Sequence, residues 1–179
     1  MTGAPGAAIL YVLAGLMCWP RDESALGLLR VRGAQLAWAA IWLLSTALWL
    51  LPANDAAGAT RDAIAAAPSG VAWLTRLLSS SASATAGQGT VIAVVMAIVS
   101  AAIAVSALGN WRPRAFLVIA IALELVFWFL GQGLGGLFTA QATDPSTAPL
   151  MILIAAALWA VAPAAQTRSA TATAAPAVM

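Results

Sequence analysis

The chain has 179 residues, of which 63% are hydrophobic and 8% charged, with a net charge of +2 and a mean hydropathy of +0.95. About a quarter of a soluble domain's residues are charged, and a chain this short cannot enclose nearly two thirds of itself in a core, so the composition points away from a soluble domain and to an integral membrane protein. With no His and a single Cys there is no material for protein-held haem, zinc or iron–sulfur cofactors, and no basic cluster interleaved with aromatics suggests nucleic acid.

Five apolar runs follow in chain order. The first, residues 5–19, is short and closes on Trp19-Pro20. Its Arg residues follow it, the reverse of a signal peptide, so a retained span is expected. Cys18 reads as a small buried hydrophobe. The second run, residues 34–51, carries Trp38, Trp42 and Trp49 on one side of a helix with Ser45 between them. Trp38 and Trp49 suit interface anchors. Trp42 lies deeper, where packing competes with a groove for a flat lipophile such as a quinone, carotenoid or lipid.

Residues 52–90 form a long outer loop. A helix is expected over 56–67, broken by Pro68-Ser-Gly70, after which Ser69 can cap a second helix. In that helix Val71, Leu74, Leu77 and Leu78 share a face beside Trp73, which suits either the outer membrane surface or a cap on the bundle. Ser79 to Thr85 reads as a flexible linker. Runs 91–108 and 115–130 are the third and fourth spans, joined by a short loop holding Arg112 and Arg114. The fifth, 149–162, begins at Pro149, a residue the first helical turn tolerates. Residues 164–179 are rich in Ala and Thr and are expected to form a disordered cytoplasmic tail. The fold class is therefore all-α: one transmembrane domain, residues 1–163, of about five helices with an amphipathic outer-surface helix.

Arg21, Arg30, Arg32, Arg112, Arg114 and Arg168 fall on alternate loops. The positive-inside rule makes that side cytoplasmic, with the N-terminus outside and the C-terminus inside the cytoplasmic membrane. Arg61 and Arg76, on the outer loop, are balanced by Asp55 and Asp62.

Glu124 interrupts the fourth span. Counted from Arg114 it lies roughly 15 Å along the helix, near the middle of a hydrocarbon core about 30 Å thick. An ionisable residue at that depth is a functional-site hypothesis by default. Ser45, Thr46, Ser100 and Tyr11 reach the same layer, and no cation does. The carboxyl is therefore expected to be uncharged, a hydrogen-bond donor able to load and release a proton. Its structural alternative is an interhelical clasp worth about 0.6 kcal/mol. Ile121, Glu124, Trp128, Gly131 and Gly135 fall on one helical stripe, in which Gly131 and Gly135 form a G-x-x-x-G pair suited to close helix packing. Gly131-Gln-Gly-Leu-Gly-Gly136 can instead unwind the helix end, which is tolerated at membrane depth where buried or lining a cavity. The segment that follows would then present Gln132, Thr139 and Asp144, although Asp144-Pro145 with its flanking hydroxyls also reads as a turn and helix cap. One carboxylate with hydroxyls is a weak cation site at best.

Two stretches, Trp49-Leu-Leu-Pro-Ala-Asn54 with Ala67-Pro-Ser-Gly-Val-Ala-Trp-Leu74, and Phe127 to Leu150 with the pattern F-W-x-x-G-Q-G-x-G-G-x-x-T-x-x-A-T-D-P, resemble a group of multi-pass membrane proteins of actinobacteria. The chain departs from that group at Ser146 and Ala148, where its members tend to have Asn and Gly. The resemblance implies a membrane protein and no particular activity.

These readings converge on a protein that binds or moves a small or lipophilic molecule, with Glu124, Gln132, Trp128, Ser45 and Ser100 as ligand- or proton-binding candidates and Gly131 and Gly135 as packing residues. The alternative is an accessory or assembly subunit that docks its Gly and Trp faces onto a larger membrane complex, or onto a second copy of itself. No metal ligand or catalytic residue is expected. The familiar acid–base and nucleophile constellations have almost no material here, so an enzyme would depend on a bound cofactor.

Overall fold

The computed structural model describes residues 11–12, 15, 25–109, 111–140 and 146–173. Most of the expected first span, with Cys18, and also Arg21 and Asp144 lie outside them. The described residues are helical, with no strand among them. In chain order the elements are α1 (Ala25–Trp49), α2 (Pro52–Asp55), α3 (Ala59–Ala65), α4 (Ala72–Ala84), α5 (Gly89–Gly109), α6 (Pro113–Val126), a π-helical turn (Phe127–Gly131), a 3-10 segment (Gly133–Thr139) and α7 (Thr147–Thr173).

Among the described residues four long helices make the body. α1 packs along α5, and α6 along α7. The α5–α6 hairpin joins the pairs: Arg112 turns the chain in a left-handed conformation, Pro113 opens α6 at the position where its missing N–H is harmless, and the Ser106 hydroxyl donates to the Trp111 carbonyl at 2.6 Å. Between the pairs lies a core of Trp38, Trp42, Ile103, Leu117, Ile154 and Leu158. Trp38, expected at a membrane interface, is instead buried edge-on against Trp42, with ring centroids 5.7 Å apart.

The distribution of side-chain size runs opposite to that of a soluble helix. The buried side of α5 is mostly small, with Ala93, Ala97, Ser100 and Ala104, while Val91, Val94, Val95, Ile98 and Val105 face outward. Large apolar residues are likewise exposed on α1 (Leu43, Leu44, Leu48) and α6 (Val118, Leu125, Val126). Small residues inside allow close backbone approach, and large ones outside suit an apolar solvent. Two helices, Gly89–Gly109 and Pro113–Gly131, are long and apolar enough to cross a membrane.

One end of the body is basic. Arg32 reaches the Leu108 carbonyl at 3.5 Å, and Arg114 lies over the Trp159 ring, 5.6 Å from its centroid. Arg30 and Arg32 were expected in a loop. They fall within α1, which starts at Ala25, because Ala25-Leu-Gly-Leu-Leu-Arg30 is rich in strong helix formers.

The other end carries a cap built from α2, α3 and α4. The helix expected over 56–67 is shortened to Ala59–Ala65 and preceded by the single turn of α2. In α4, Leu74, Leu78 and Ala82 are buried with Ile64 and Leu134 in a second core cluster, so this face seals the cap, while Trp73 and Leu77 remain exposed. Two expectations here fail. Ser69 does not cap α4: the N-cap is Val71, and the Ser69 hydroxyl pairs with that of Thr75 at 2.7 Å. Residues 79–84 are not a linker but the last turns of α4. Their hydroxyls bond back to helix carbonyls, Ser79 to Arg76 at 3.0 Å and Ser83 to Ser79 at 2.9 Å, which lets serine remain helical while Ala82 anchors the turn. At the far end of the chain, α7 runs to Thr173, past the Ala164 at which composition placed a disordered tail; alanine's high helix propensity accounts for the extension.

Candidate functional site

A cavity of about 690 Å³ opens in the cap-side half of the body, between the two helix pairs and beneath the cap. Its wall is mainly apolar. α1 supplies Ile41, Trp42, Ser45, Leu48 and Trp49; α5 supplies Ile92 and Met96; α6 and its continuation supply Leu123, Glu124, Phe127, Leu130 and Gln132. Thr147 and Met151 come from α7, and Asn54, Thr60 and Thr85 from the cap. Trp49 and Phe127 bridge α1 and α6, their ring centroids 6.0 Å apart.

Several polar groups reach this space without partners. Glu124 is 8% exposed, and among the described residues no side chain hydrogen-bonds its carboxyl. Trp42 is 2% exposed, and its Nε1–H lacks an acceptor; Gln132 Oε1 and Thr60 Oγ1 are also buried and unpaired. The Gln132 amide is held from its other side, Nε2 donating to Thr147 Oγ1 at 2.9 Å, so its carbonyl is fixed in orientation. Buried polar groups are ordinarily satisfied. Several unsatisfied groups around one apolar chamber form the pattern of a ligand pocket.

The structure gathers part of the predicted constellation. Glu124, Ser45, Gln132 and Gly131 line the cavity together. Ser100 is buried in the small-residue stripe of α5 and does not line it, and neither does Tyr11. Thr46 turns its hydroxyl back to the Trp42 carbonyl at 2.9 Å. Trp128 leaves the Glu124 stripe and packs against the cap cluster. The cause is the π turn: the Gln132 N–H bonds to the Phe127 carbonyl five residues back at 2.9 Å, and this wider turn shifts the side-chain register away from 3.6 residues. Such turns recur at functional sites.

The G-x-x-x-G reading is corrected. The helix ends at Gly131, where an added Cβ would meet nothing within 4 Å. Gly135 lies beyond it in left-handed backbone, along with Gly133, Leu134 and Gly136. The close approach is made by Gly133 instead, whose absent side chain leaves room for the Pro68 carbonyl of the cap. The alternative expectation, an unwound helix end, describes this segment.

Sequence reasoning missed Thr60, Thr85 and Thr147. No periodic signal aims a lone Thr at a distant cavity, so only the tertiary arrangement of the cap and of the start of α7 reveals them. Among the described residues no group of three or more His, Cys, Asp or Glu side chains could hold a metal ion. No family model matches the chain, and no curated protein or solved structure matches it.

Proposed function

We propose that this is a multi-pass protein of the cytoplasmic membrane, with five spans, the cap on the outer side and the Arg-bearing end inside, whose cavity binds a small lipophilic molecule through Glu124. The observation that carries this reading is the chamber itself: apolar walls enclosing an intramembrane carboxyl, an unpaired indole N–H and an unpaired amide carbonyl. The outward-facing large apolar residues support the membrane setting. The grouping of Arg32 and Arg114 at one end supports the orientation under the positive-inside rule. Glu124 at mid-span, near a chamber that reaches the cap, suits loading and release of a ligand or a proton.

The test is purification in mild detergent followed by solvent extraction and mass spectrometry. A co-purifying lipophile retained by the wild type and lost in Glu124→Gln, with the thermal transition unchanged, is the expected result. A stoichiometric protein partner with no retained small molecule would favour the accessory-subunit reading instead.

A further inference from the structure

We infer that the occupant of the cavity is a lipophilic amine, held as an ammonium by Glu124 between aromatic walls. This rests on the chamber being a binding site, as proposed above, and goes beyond it by assigning the charge and chemistry of the ligand.

The unmet polar groups are biased towards accepting. Gln132 Oε1 is an acceptor position without a donor, and the Glu124 carboxyl, which lines the same space, offers two acceptor oxygens once it has passed its proton to an entering amine. Against these stands one donor without an acceptor, Trp42 Nε1–H, while the Thr60 hydroxyl can play either part. A matching occupant must therefore bring N–H or O–H groups. Charge narrows the choice further. No Arg lines the cavity among the described residues, and Glu124 is the only acidic residue that does. A carboxylate or phosphate ligand would find no cation in this lining to neutralise it. An ammonium supplies the missing cation, and charge-assisted hydrogen bonds to a carboxylate are the stronger class.

The walls agree. Trp42, Trp49 and Phe127 line the same chamber, and aromatic rings attract cations, most strongly where water is excluded. The volume of about 690 Å³ falls in the range that encloses drug-sized molecules. Gln132 presents its carbonyl pre-set by the bond to Thr147, which lowers the ordering cost of binding. Trp42 Nε1–H is left for an ether or carbonyl oxygen on the same ligand.

A matched probe set tests this: naphthylbutylamine, its uncharged analogue naphthylbutanol and its anionic analogue naphthylbutyric acid. Binding is measured by equilibrium dialysis to the full chain in zwitterionic nanodiscs, with empty nanodiscs subtracted. The amine should bind about tenfold or more tighter than the alcohol, and the acid more weakly than either. Glu124→Gln should remove the amine's advantage and bring it to the level of the alcohol measured on the same variant. The proposal is overturned if amine and alcohol bind equally, if the acid binds best, or if the amine's advantage survives Glu124→Gln. Saturable alcohol binding without preference for the amine would leave the cavity a lipophile site and refute only the charge assignment. No saturable binding of any probe would overturn both. The wild-type ranking stands whether or not the variant folds.

Discussion

Replacing Gly133 and Gly131 separately by alanine distinguishes a helix-packing glycine from a clasp between the cap and the end of α6. Gly133 has φ of 51°, and an added Cβ would run into the Pro68 carbonyl. The left-handed backbone alone costs a Cβ-bearing residue about 1–2 kcal/mol, and forcing an atom into packed backbone typically adds about 1–3 kcal/mol. A loss near 3 kcal/mol corresponds to roughly 6–12 °C in the unfolding midpoint of a chain this size. Gly131 is helical, and its added Cβ meets nothing; removing glycine's backbone freedom there should be neutral or gain up to about 1 kcal/mol. Thermal unfolding in one detergent, followed by tryptophan fluorescence, reads both. If Gly131→Ala falls as far as Gly133→Ala, the glycines form a helix–helix seam and the clasp is wrong.

Two further predictions concern the ends of the body. Ser106→Ala removes the side-chain bond that helps close the α5–α6 hairpin; it should lower stability by about 1 kcal/mol and raise amide exchange at Trp111, Arg112 and Arg114, and unchanged exchange there would contradict the assignment. Leu74→Ala empties a fully buried site in the cap cluster and should cost about 2–5 kcal/mol. Its effect on amide exchange should concentrate in α3, α4 and the 3-10 segment, and uniform loss of protection through α5 would show that the cap is not a separable unit.

How much of this was legible in the sequence depends on what each residue answers to. α5 and α6 could be read from composition because each is a long, nearly uninterrupted apolar run, and the position of Glu124 within its run followed from helical rise alone. Ser45 was found because it reaches the layer of Glu124 on a predicted helix, and Gln132 because it sits in the Gly-rich exit of the fourth run. Trp128 was misplaced because the stripe was drawn at 3.6 residues per turn, and nothing in Phe-Trp-Phe-Leu-Gly announces a turn of five. Ser79 to Ala84 looked like linker because serine prefers non-helical partners in isolation; here the helix carbonyls take the hydroxyls and the buried Ala82 settles the matter. The role of Gly133 depends on Pro68, some sixty-five positions earlier, a relation that no local pattern encodes. A cap on the bundle was one of two settings the sequence allowed for α4; the chamber beneath it was not legible.

The placement of large residues outside and small ones inside α5 inverts the usual map of mutational tolerance. In a water-soluble helix the bulkiest apolar positions are the least replaceable. Here Val91, Val95 and Ile98, each about half exposed or more, should exchange freely among Val, Ile, Leu and Phe, since much of each side chain faces outward. Ala93, Ala97 and Ala104 are the positions where one extra methylene has nowhere to go. A substitution scan of this helix would therefore mark its smallest side chains as the ones under the tightest constraint.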